Sequence, residues 1–137
     1  MNRFVFADLS VGMSAQFKRK IDGETIRGFA QVSGDVNPLH IDADYARRSG
    51  FKDQVAHGML CSSFFSELVG VHLPGENCLL TDITVEFAKP VLAGERVSIS
   101  GAITQLSPAF KSAKIEATIT NKDSVVCVRA KIGVVVR

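Results

Sequence analysis

The chain has 137 residues, of which 46% are hydrophobic and 22% are charged, a balance typical of folded globular proteins and not of disordered ones. This length suits a single domain, residues 1–137, with a core of its own. The net charge of +2 is small, and lysines and arginines form no stripe interleaved with aromatics, so we expect no nucleic-acid partner.

Cysteine usage and hydropathy bear on where the protein works. No apolar run approaches the roughly 20 residues that a membrane span needs, and no secretory signal pattern is present near residue 1. Cys61, Cys78 and Cys127 are widely spaced and odd in number, which suits neither a disulfide framework nor a zinc site. We therefore expect reduced, buried thiols, no metal, no membrane and a cytoplasmic location.

The N-terminal part of the chain predicts one strand and one helix. Residues 14–20 are a weak, polar strand candidate. Asp22 is a suitable N-cap for a helix over 24–32, because its carboxylate can accept from the free amides of the first turn. Ser33 and Gly34 follow the last apolar position and would end that helix.

Two further helices are predicted in the middle of the chain. Asp42 resembles the N-cap of a short helix over 43–48, which Gly50 closes. A longer helix runs from residue 59 to about residue 71 and is stopped by Pro74. Its apolar positions are Met59, Leu60, Cys61, Phe64, Phe65, Leu68, Val69 and Val71. A helix that is apolar nearly all round is buried instead of lying on a surface.

The rest of the chain predicts β-strands. Residues 79–87 alternate in part between apolar and polar, and the segments 96–106, 111–121 and 125–136 are rich in Val, Ile and Thr. Short turns between them make antiparallel neighbours. A buried helix followed by such a meander predicts a curved antiparallel sheet wrapped around that helix, an α+β fold. The open edges of this sheet favour pairing with a second copy.

The segment 33–40 carries two titratable side chains around a proline bend. On a regular helix Asp35 and His40 would point about 140° apart, at roughly 100° per residue. Pro38 pushes Asn37 out of the helical region, so the two side chains can converge from a loop and serve general acid–base chemistry. The alternative is structural, because an Asp before an Asn-Pro turn often caps its own backbone.

Three stretches of this sequence resemble one family. The run 29–40, followed after five residues by Ala46, looks like the motif of the MaoC-like (R)-specific enoyl-CoA hydratases, which have the hot-dog fold. The match continues at 56–60 and at 87–95 and spans most of the chain. Glu95 stands where the family has Asp, a change that we expect to matter only structurally.

The resemblance implies a catalytic set and no cofactor. In the family, residues matching Asp35 and His40 hold a water, and the backbone N–H matching Gly58 binds the thioester oxygen. A serine matching Ser66 lies near the pair; alternatively, Ser66 is a small residue whose hydroxyl bonds its own helix. Asn37 is expected to brace the loop through its amide. Which of the two titratable residues is acid and which is base stays open.

These roles agree with what the reaction requires. Hydration of a trans-2-enoyl thioester needs a water aimed at the β carbon, a base for its proton and a proton for the α carbon. An imidazole exchanges protons near neutral pH, and a helix N-terminus offers a preorganised amide to a developing oxyanion. We expect His57 to make a structural hydrogen bond and His72 to lie on the surface near a helix end. Cys61 is not expected to be a nucleophile.

The predicted function is that of an (R)-specific enoyl-CoA hydratase, with coenzyme A thioesters as substrates and a homodimer, or an assembly of dimers, as the working form. Three alternatives stay open: a dehydratase acting on an acyl carrier protein, an acyl-CoA thioesterase, and a non-catalytic acyl-thioester binding module. The phosphates of coenzyme A or an acidic carrier protein would both favour basic residues at the tunnel mouth. The candidates are Arg47, Arg48, Lys52 and Lys89.

Overall fold

The computed structural model describes all 137 residues and contains one antiparallel sheet. Its strands are β1 (Ser14–Ile21), β2 (Cys78–Phe87), β3 (Glu95–Ser107), β4 (Ser112–Thr120) and β5 (Val126–Val136). They lie side by side in the order β1-β3-β4-β5-β2. Every neighbouring pair is antiparallel, and β1 and β2 are the two edges.

Four helices lie between the strands. They are α1 (Gly23–Ser33), α2 (Pro38–Ile41), α3 (Ala43–Arg48) and α4 (Gly58–Glu67). Helix α4 continues into a wider π-helical turn, Leu68–His72, so the helix predicted to about Val71 is confirmed with a change of winding near its end. No helix has the length and apolar character needed to cross a membrane.

The predicted helix caps are confirmed. The Asp22 carboxylate accepts from the Thr25 amide at 2.8 Å. At the other end of α1, Gly34 has φ = 78°, a left-handed conformation that glycine adopts at little cost. The Asp42 carboxylate accepts from the first amides of α3. Both helices therefore begin at the N-cap residues that the sequence predicts.

The core lies between α4 and one face of the sheet. Buried residues alternate with accessible ones along the three middle strands, as expected for a sheet with one covered face. Phe65 and Leu68 are fully buried against that face. The approach is close at Gly101, where a Cβ would lie 2.6 Å from Cδ2 of Leu68. The α+β prediction of a sheet covering a helix is thus confirmed.

One part of the predicted topology is wrong. The four C-terminal strands do not form a simple meander: β3, β4 and β5 do, but β2 pairs with β5 and not with β3. The segment between β2 and β3 contains Pro90, which cannot donate to a ladder, and it runs beside the 55–56 segment. There the Ala56 amide donates to the Val91 carbonyl at 2.8 Å. This crossing brings the end of β2 next to the start of α4.

The prediction that α4 is buried all round is also wrong for the single chain. Met59, Ser63 and Ser66 are exposed, and Met59 keeps 64% of its accessible surface. These three residues follow one stripe of the helix at helical spacing, which is here named the open face of α4. The sheet covers the opposite side of the helix and does not reach this one.

Candidate active site

The loop before α2 is held by its own short polar residues. The Asp35 amide donates to the Ser33 hydroxyl and the Asn37 amide donates to Asp35 Oδ1, both at 3.2 Å. Asn37 lies at φ = −52°, ψ = 130°, outside the helical region, as expected for a residue before proline. Its Oδ1 then accepts from the Leu39 amide at 2.9 Å. The predicted bracing role of Asn37 is therefore present as an N-cap.

Asp35 and His40 approach each other as the spacing predicts, with one correction. His40 lies on the single turn of α2 and not in a loop, because Pro38 is well suited to a first helical position. The distance from Asp35 Oδ2 to His40 Nε2 is 3.8 Å. This is too long for a direct hydrogen bond, and it leaves both atoms able to bond one oxygen placed beside them. The Asp35 side chain is half exposed, whereas that of His40 is 14% exposed.

The ring of His40 is oriented by a backbone carbonyl. Its Nδ1 lies 2.6 Å from the Val55 carbonyl oxygen, and a carbonyl only accepts, so Nδ1 carries the hydrogen. In the neutral ring Nε2 is then unprotonated, and it is the nitrogen nearest to the Asp35 carboxylate. Val55 is itself fixed, since its amide donates to the Leu39 carbonyl at 3.1 Å. The result is a ring with its basic nitrogen directed at the carboxylate.

His57 lies directly behind this pair. Its Nε2 is 2.9 Å from the backbone oxygen of Asp35, which is the structural hydrogen bond expected from the sequence. The rings of His57 and His40 also stack, with centroids 3.8 Å apart and an interplanar angle of 28°. Nothing in the sequence pattern signals this stacking.

Asp35, His40 and His57 offer side-chain ligand atoms within 4.8 Å of one another. The ring geometry argues against these three groups binding one metal ion. Imidazole lone pairs lie in the ring plane, and stacked rings direct them along nearly parallel lines that do not converge on one ion.

A cavity of about 460 Å³ adjoins His40. Its walls include Val55, Gly58, Met59, Phe87 and Val128, and most of its lining is apolar. Gly58 is the first residue of α4, where amides have no acceptor within the helix, and the His57 side chain does not cap them. The Gly58 N–H is therefore available at the positive end of the helix dipole.

The space beside Gly58 accommodates no larger residue without movement. A Cβ at this position would lie 3.0 Å from Cε1 of Phe87 and 3.2 Å from its Cζ. Glycine is thus the residue that lets β2 approach the first turn of α4 while the amide stays uncovered. Sequence reasoning had not identified Phe87 as part of the site, although it lies within the third matching stretch.

A second hollow, of about 500 Å³, lies on the opposite face of the sheet. Its lining is small or charged and includes Ser100, Thr118 and the Glu86–Arg129 ion pair. Neither titratable residue of the 33–40 segment borders it. The smaller, apolar cavity is therefore the candidate active site, because its lining includes His40, one member of the acid–base pair, and the free amide of Gly58.

The remaining predicted residues fall into two groups. Cys61 lines the cavity, and burial raises the pKa of its thiol to about 12, so it carries little thiolate at neutral pH and is a poor nucleophile. Lys89 also lines the cavity. By contrast, Ser66 lies on the open face of α4 and outside the cavity, and Arg47 pairs with Asp44 at 2.9 Å.

His72 lies at the helix end as predicted, with 33% of its side chain exposed, and it also packs on the edge strand. Its ring stacks on Phe17 of β1, with centroids 4.7 Å apart, and its Nε2 lies 3.3 Å from Glu67 Oε1. Glu67 also contacts Arg19. The wider turn after α4 brings His72 towards the edge strand, so it fastens the end of the helix to β1.

An antiparallel sheet curved around one central helix, with the acid–base pair beside the start of that helix, defines a protein of the hot-dog class. The sequence model of the family described as MaoC-like domain matches residues 8–125 of this chain. The chain belongs to the MaoC-like domain family. The resemblance found in its motifs is thereby confirmed.

Named relatives are similar along most of the chain. An (R)-specific enoyl-CoA hydratase of Rhodospirillum rubrum is 36% identical over 121 residues, which are 88% of this chain and 84% of the relative. A 3-hydroxybutyryl-CoA dehydratase of Methylorubrum extorquens is 32% identical over 121 residues, 88% of this chain and 77% of the relative. The solved structure of an (R)-hydratase from Aeromonas caviae matches with a TM-score of 0.92 and 29% identity, over 94% of this chain and 98% of that one.

Proposed function

We propose that this protein is a hydro-lyase that adds water reversibly to trans-2-enoyl-CoA thioesters, in syn fashion, to give (R)-3-hydroxyacyl-CoA. The observation that carries the proposal is the 3.8 Å separation of Asp35 Oδ2 and His40 Nε2 beside an apolar cavity lined by Gly58. The similarity to named (R)-specific hydratases supports it.

We assign the base role to His40. Its Nε2 is unprotonated in the tautomer that the Val55 carbonyl selects. In the proposed step this nitrogen takes a proton from water as the water oxygen bonds the β carbon and the π electrons move towards the thioester. Syn addition places the new hydrogen and hydroxyl on one face, so the same imidazolium can return a proton to the α carbon. Asp35 orients the water and stabilises the transient cation.

We assign the oxyanion role to the Gly58 amide. As the β carbon bonds oxygen, charge accumulates on the thioester carbonyl oxygen, and a fixed N–H at a helix N-terminus stabilises that charge without reorganising. The acyl chain would lie along the apolar part of the cavity, against Met59, Phe87 and Val128. Lys89 is our candidate for contact with the polar part of the thioester or its phosphates.

A second copy of the chain is part of the proposal. Strand β2 is an edge that exposes large apolar side chains, with Leu80 40% and Ile83 39% exposed, and an unprotected edge invites pairing. It adjoins the open face of α4, because Phe87 of β2 lies against Gly58. Joining two β2 edges in a homodimer would cover both surfaces. Ser66, which lies on the open face of α4, would then be enclosed near the cavity.

The dimer proposal is tested by sedimentation and by activity on dilution. We expect Ile83→Arg to give monomers with little activity, because a charge replaces an apolar contact at the β2 edge. Gln16→Arg is the matched control on the other edge, β1, and should stay dimeric and active. Monomeric wild-type protein with full turnover would rule out the proposed dimer.

The reaction is tested with crotonyl-CoA and a series of longer enoyl-CoA thioesters. Loss of the enoyl absorbance without release of free thiol, and a product of the (R) configuration, are the expected results. Asp35→Asn and His40→Ala should each abolish most of the rate, whereas Asp123→Asn, which removes an exposed charge in a β-turn, should not. Complete failure to hydrate any length at high enzyme concentration would refute the proposal.

The same experiment separates the alternatives. Release of free thiol from saturated acyl-CoA would identify a thioesterase. Faster turnover of the same enoyl chain on an acyl carrier protein would favour a dehydratase of carrier-bound intermediates. Tight acyl-CoA binding that is unchanged in both Asp35→Asn and His40→Ala, without turnover, would indicate a binding module.

A further inference from the structure

We propose that His57 is a positioning residue for the proposed hydration reaction, acting on both members of the acid–base pair at once. The proposal rests on the proposed function and adds a role to a side chain that would touch no reacting atom. Three contacts carry it: a hydrogen bond to the backbone of Asp35, a ring stack on His40, and a packing contact with Phe29.

The first contact fixes the loop that carries Asp35. His57 is 2% exposed, and its Nε2 lies 2.9 Å from the Asp35 carbonyl oxygen. Because that oxygen only accepts, Nε2 is the donor and carries the hydrogen. The Asp35 side chain itself is half exposed and makes only one local hydrogen bond, to the Asn37 amide. The bond from His57 is therefore the link between the Asp35 backbone and the start of α4.

The second contact restrains the ring of His40. The Nδ1 of His40 is held by the Val55 carbonyl, but one hydrogen bond leaves the ring free to tilt about it. The His57 ring lies against its face at 3.8 Å, which removes that freedom on one side. Phe29 of α1 contacts the His57 ring at 5.0 Å and 56° and keeps it in place.

The unpaired nitrogen of His57 indicates that the ring is kept for its contacts with Asp35 and His40 and does not belong to a wider polar network. Its Nδ1 is buried without a hydrogen-bond partner, an arrangement that costs roughly 1–3 kcal/mol and needs a reason. A phenylalanine would avoid that cost and still stack on His40, but it could not donate to Asp35. A glutamine could donate but could not stack. Histidine does both.

The two contributions are separable by substitution. His57→Gln places a side-chain N–H near the position of Nε2 and removes the stacked ring, whereas His57→Phe keeps a flat ring and leaves the Asp35 carbonyl without its donor. We expect each variant to lower kcat about 10- to 100-fold, as small displacements of catalytic groups do, with KM within about threefold of wild type. His72→Gln is the matched control, since His72 is also stacked on an aromatic ring but lies outside the site.

A double-mutant cycle distinguishes positioning from general destabilisation. In a His40→Ala background, His57→Gln, which removes the stacked ring and keeps a donor for Asp35, should cost less than about threefold, because the ring that it restrains is gone. An undiminished loss in that background would overturn the proposal, and so would wild-type kcat in both single variants. If the wild-type protein hydrates no enoyl-CoA, the proposed function fails instead, so the two failures are distinguishable.

A measurement on the wild-type protein covers the case in which the variants do not fold. In ¹⁵N-histidine spectra, His57 should show a slowly exchanging hydrogen on Nε2 and an unprotonated Nδ1, and His40 the reverse assignment. A His57 ring whose only ring hydrogen is on Nδ1 would mean that the bond to Asp35 does not exist in solution, and the proposal would be wrong.

Discussion

The substitution Gly58→Ala tests the assignment of the oxyanion donor most directly. The added methyl would lie 3.0, 3.1 and 3.2 Å from three ring carbons of Phe87, closer than a comfortable carbon–carbon contact. The Phe87 side chain is 50% exposed, so the ring can shift by the few tenths of an ångström required. Alanine also favours a helix over glycine by up to about 1 kcal/mol. The free energy of unfolding should therefore change by less than about 1 kcal/mol.

Activity should respond far more than stability. The Gly58 N–H stays in the variant, but the added methyl stands in the cavity wall beside it and would block the approach of the thioester oxygen. Blocked access should cost as much as one missing oxyanion donor, roughly 10²- to 10³-fold in kcat, or about 2.7–4 kcal/mol. The assay is the initial rate of enoyl absorbance loss with crotonyl-CoA, beside a thermal melt of the same sample. We expect a kcat lowered by about that factor and a nearly unchanged melting midpoint.

Two controls make the result interpretable. Gly28→Ala introduces the same methyl in α1, where a Cβ meets nothing within 4 Å, and should leave the rate unchanged. Gly58→Ala combined with Phe87→Ala removes the ring contact but keeps the methyl beside the amide, so its rate should stay well below that of Phe87→Ala alone, which itself loses part of the cavity wall. A folded Gly58→Ala protein with wild-type kcat would refute the assignment of this amide.

Three further predictions concern the charge pair, the thiols and the packing of the sheet. Asp35→Asn should lower kcat at least about 10²-fold with an unchanged melting midpoint, and a folded variant with normal kcat would remove Asp35 from the mechanism. With its pKa raised from 9.0 to about 12, Cys61 should resist a thiol reagent at about pH 8 until the protein is unfolded. The stability that this shift contributes is fully present below pH 9.0 and is lost as pH rises towards about 12. Urea unfolding at a series of pH values should therefore show a free energy of unfolding that falls at alkaline pH, and that falls less in Cys61→Ala. Gly101→Ala should lower the free energy of unfolding by about 1–3 kcal/mol, because its Cβ would meet a buried Leu68 methyl at 2.6 Å. Gly133→Ala displaces only the ends of two exposed side chains and should cost less than about 1 kcal/mol. Equal losses in the two variants would contradict this account.

The elements that the sequence predicts best are those determined by neighbouring residues. Asp22 and Asp42 cap their helices as expected because a cap depends on a few adjacent positions. The approach of Asp35 to His40 was predictable for the same reason, since Pro38 and Asn37 fix the bend between them. The particular orientation of His40 was not, because its partner is the carbonyl of Val55. A backbone acceptor leaves no trace in residue type.

Strand order depends on information that the sequence pattern lacks. Alternation and β-propensity locate β2 and β3 within one residue of their ends, but they do not say which edges meet. The pairing of β2 with β5 is decided by packing, because it places Ile83 beside Ile132 and Phe87 beside Val128 on the face towards the helix. A short connection is therefore a weak guide to pairing whenever it contains a proline and crosses the end of a sheet.

The open face of α4 shows that a hydrophobic pattern can differ from the burial seen in a single chain. The sequence of this helix indicates burial nearly all round, yet Met59, Ser63 and Ser66 are exposed in the single chain. Both observations hold if the pattern reflects the assembled protein, in which a second copy covers the stripe that the sheet does not reach. Small serines at two of the three positions leave room for a partner, or an acyl chain, to approach the helix closely. The 64% exposure of Met59 is thus the apolar part of the argument for the dimer proposed above. Ser66, on the same face, is the residue that this dimer would bring near the cavity.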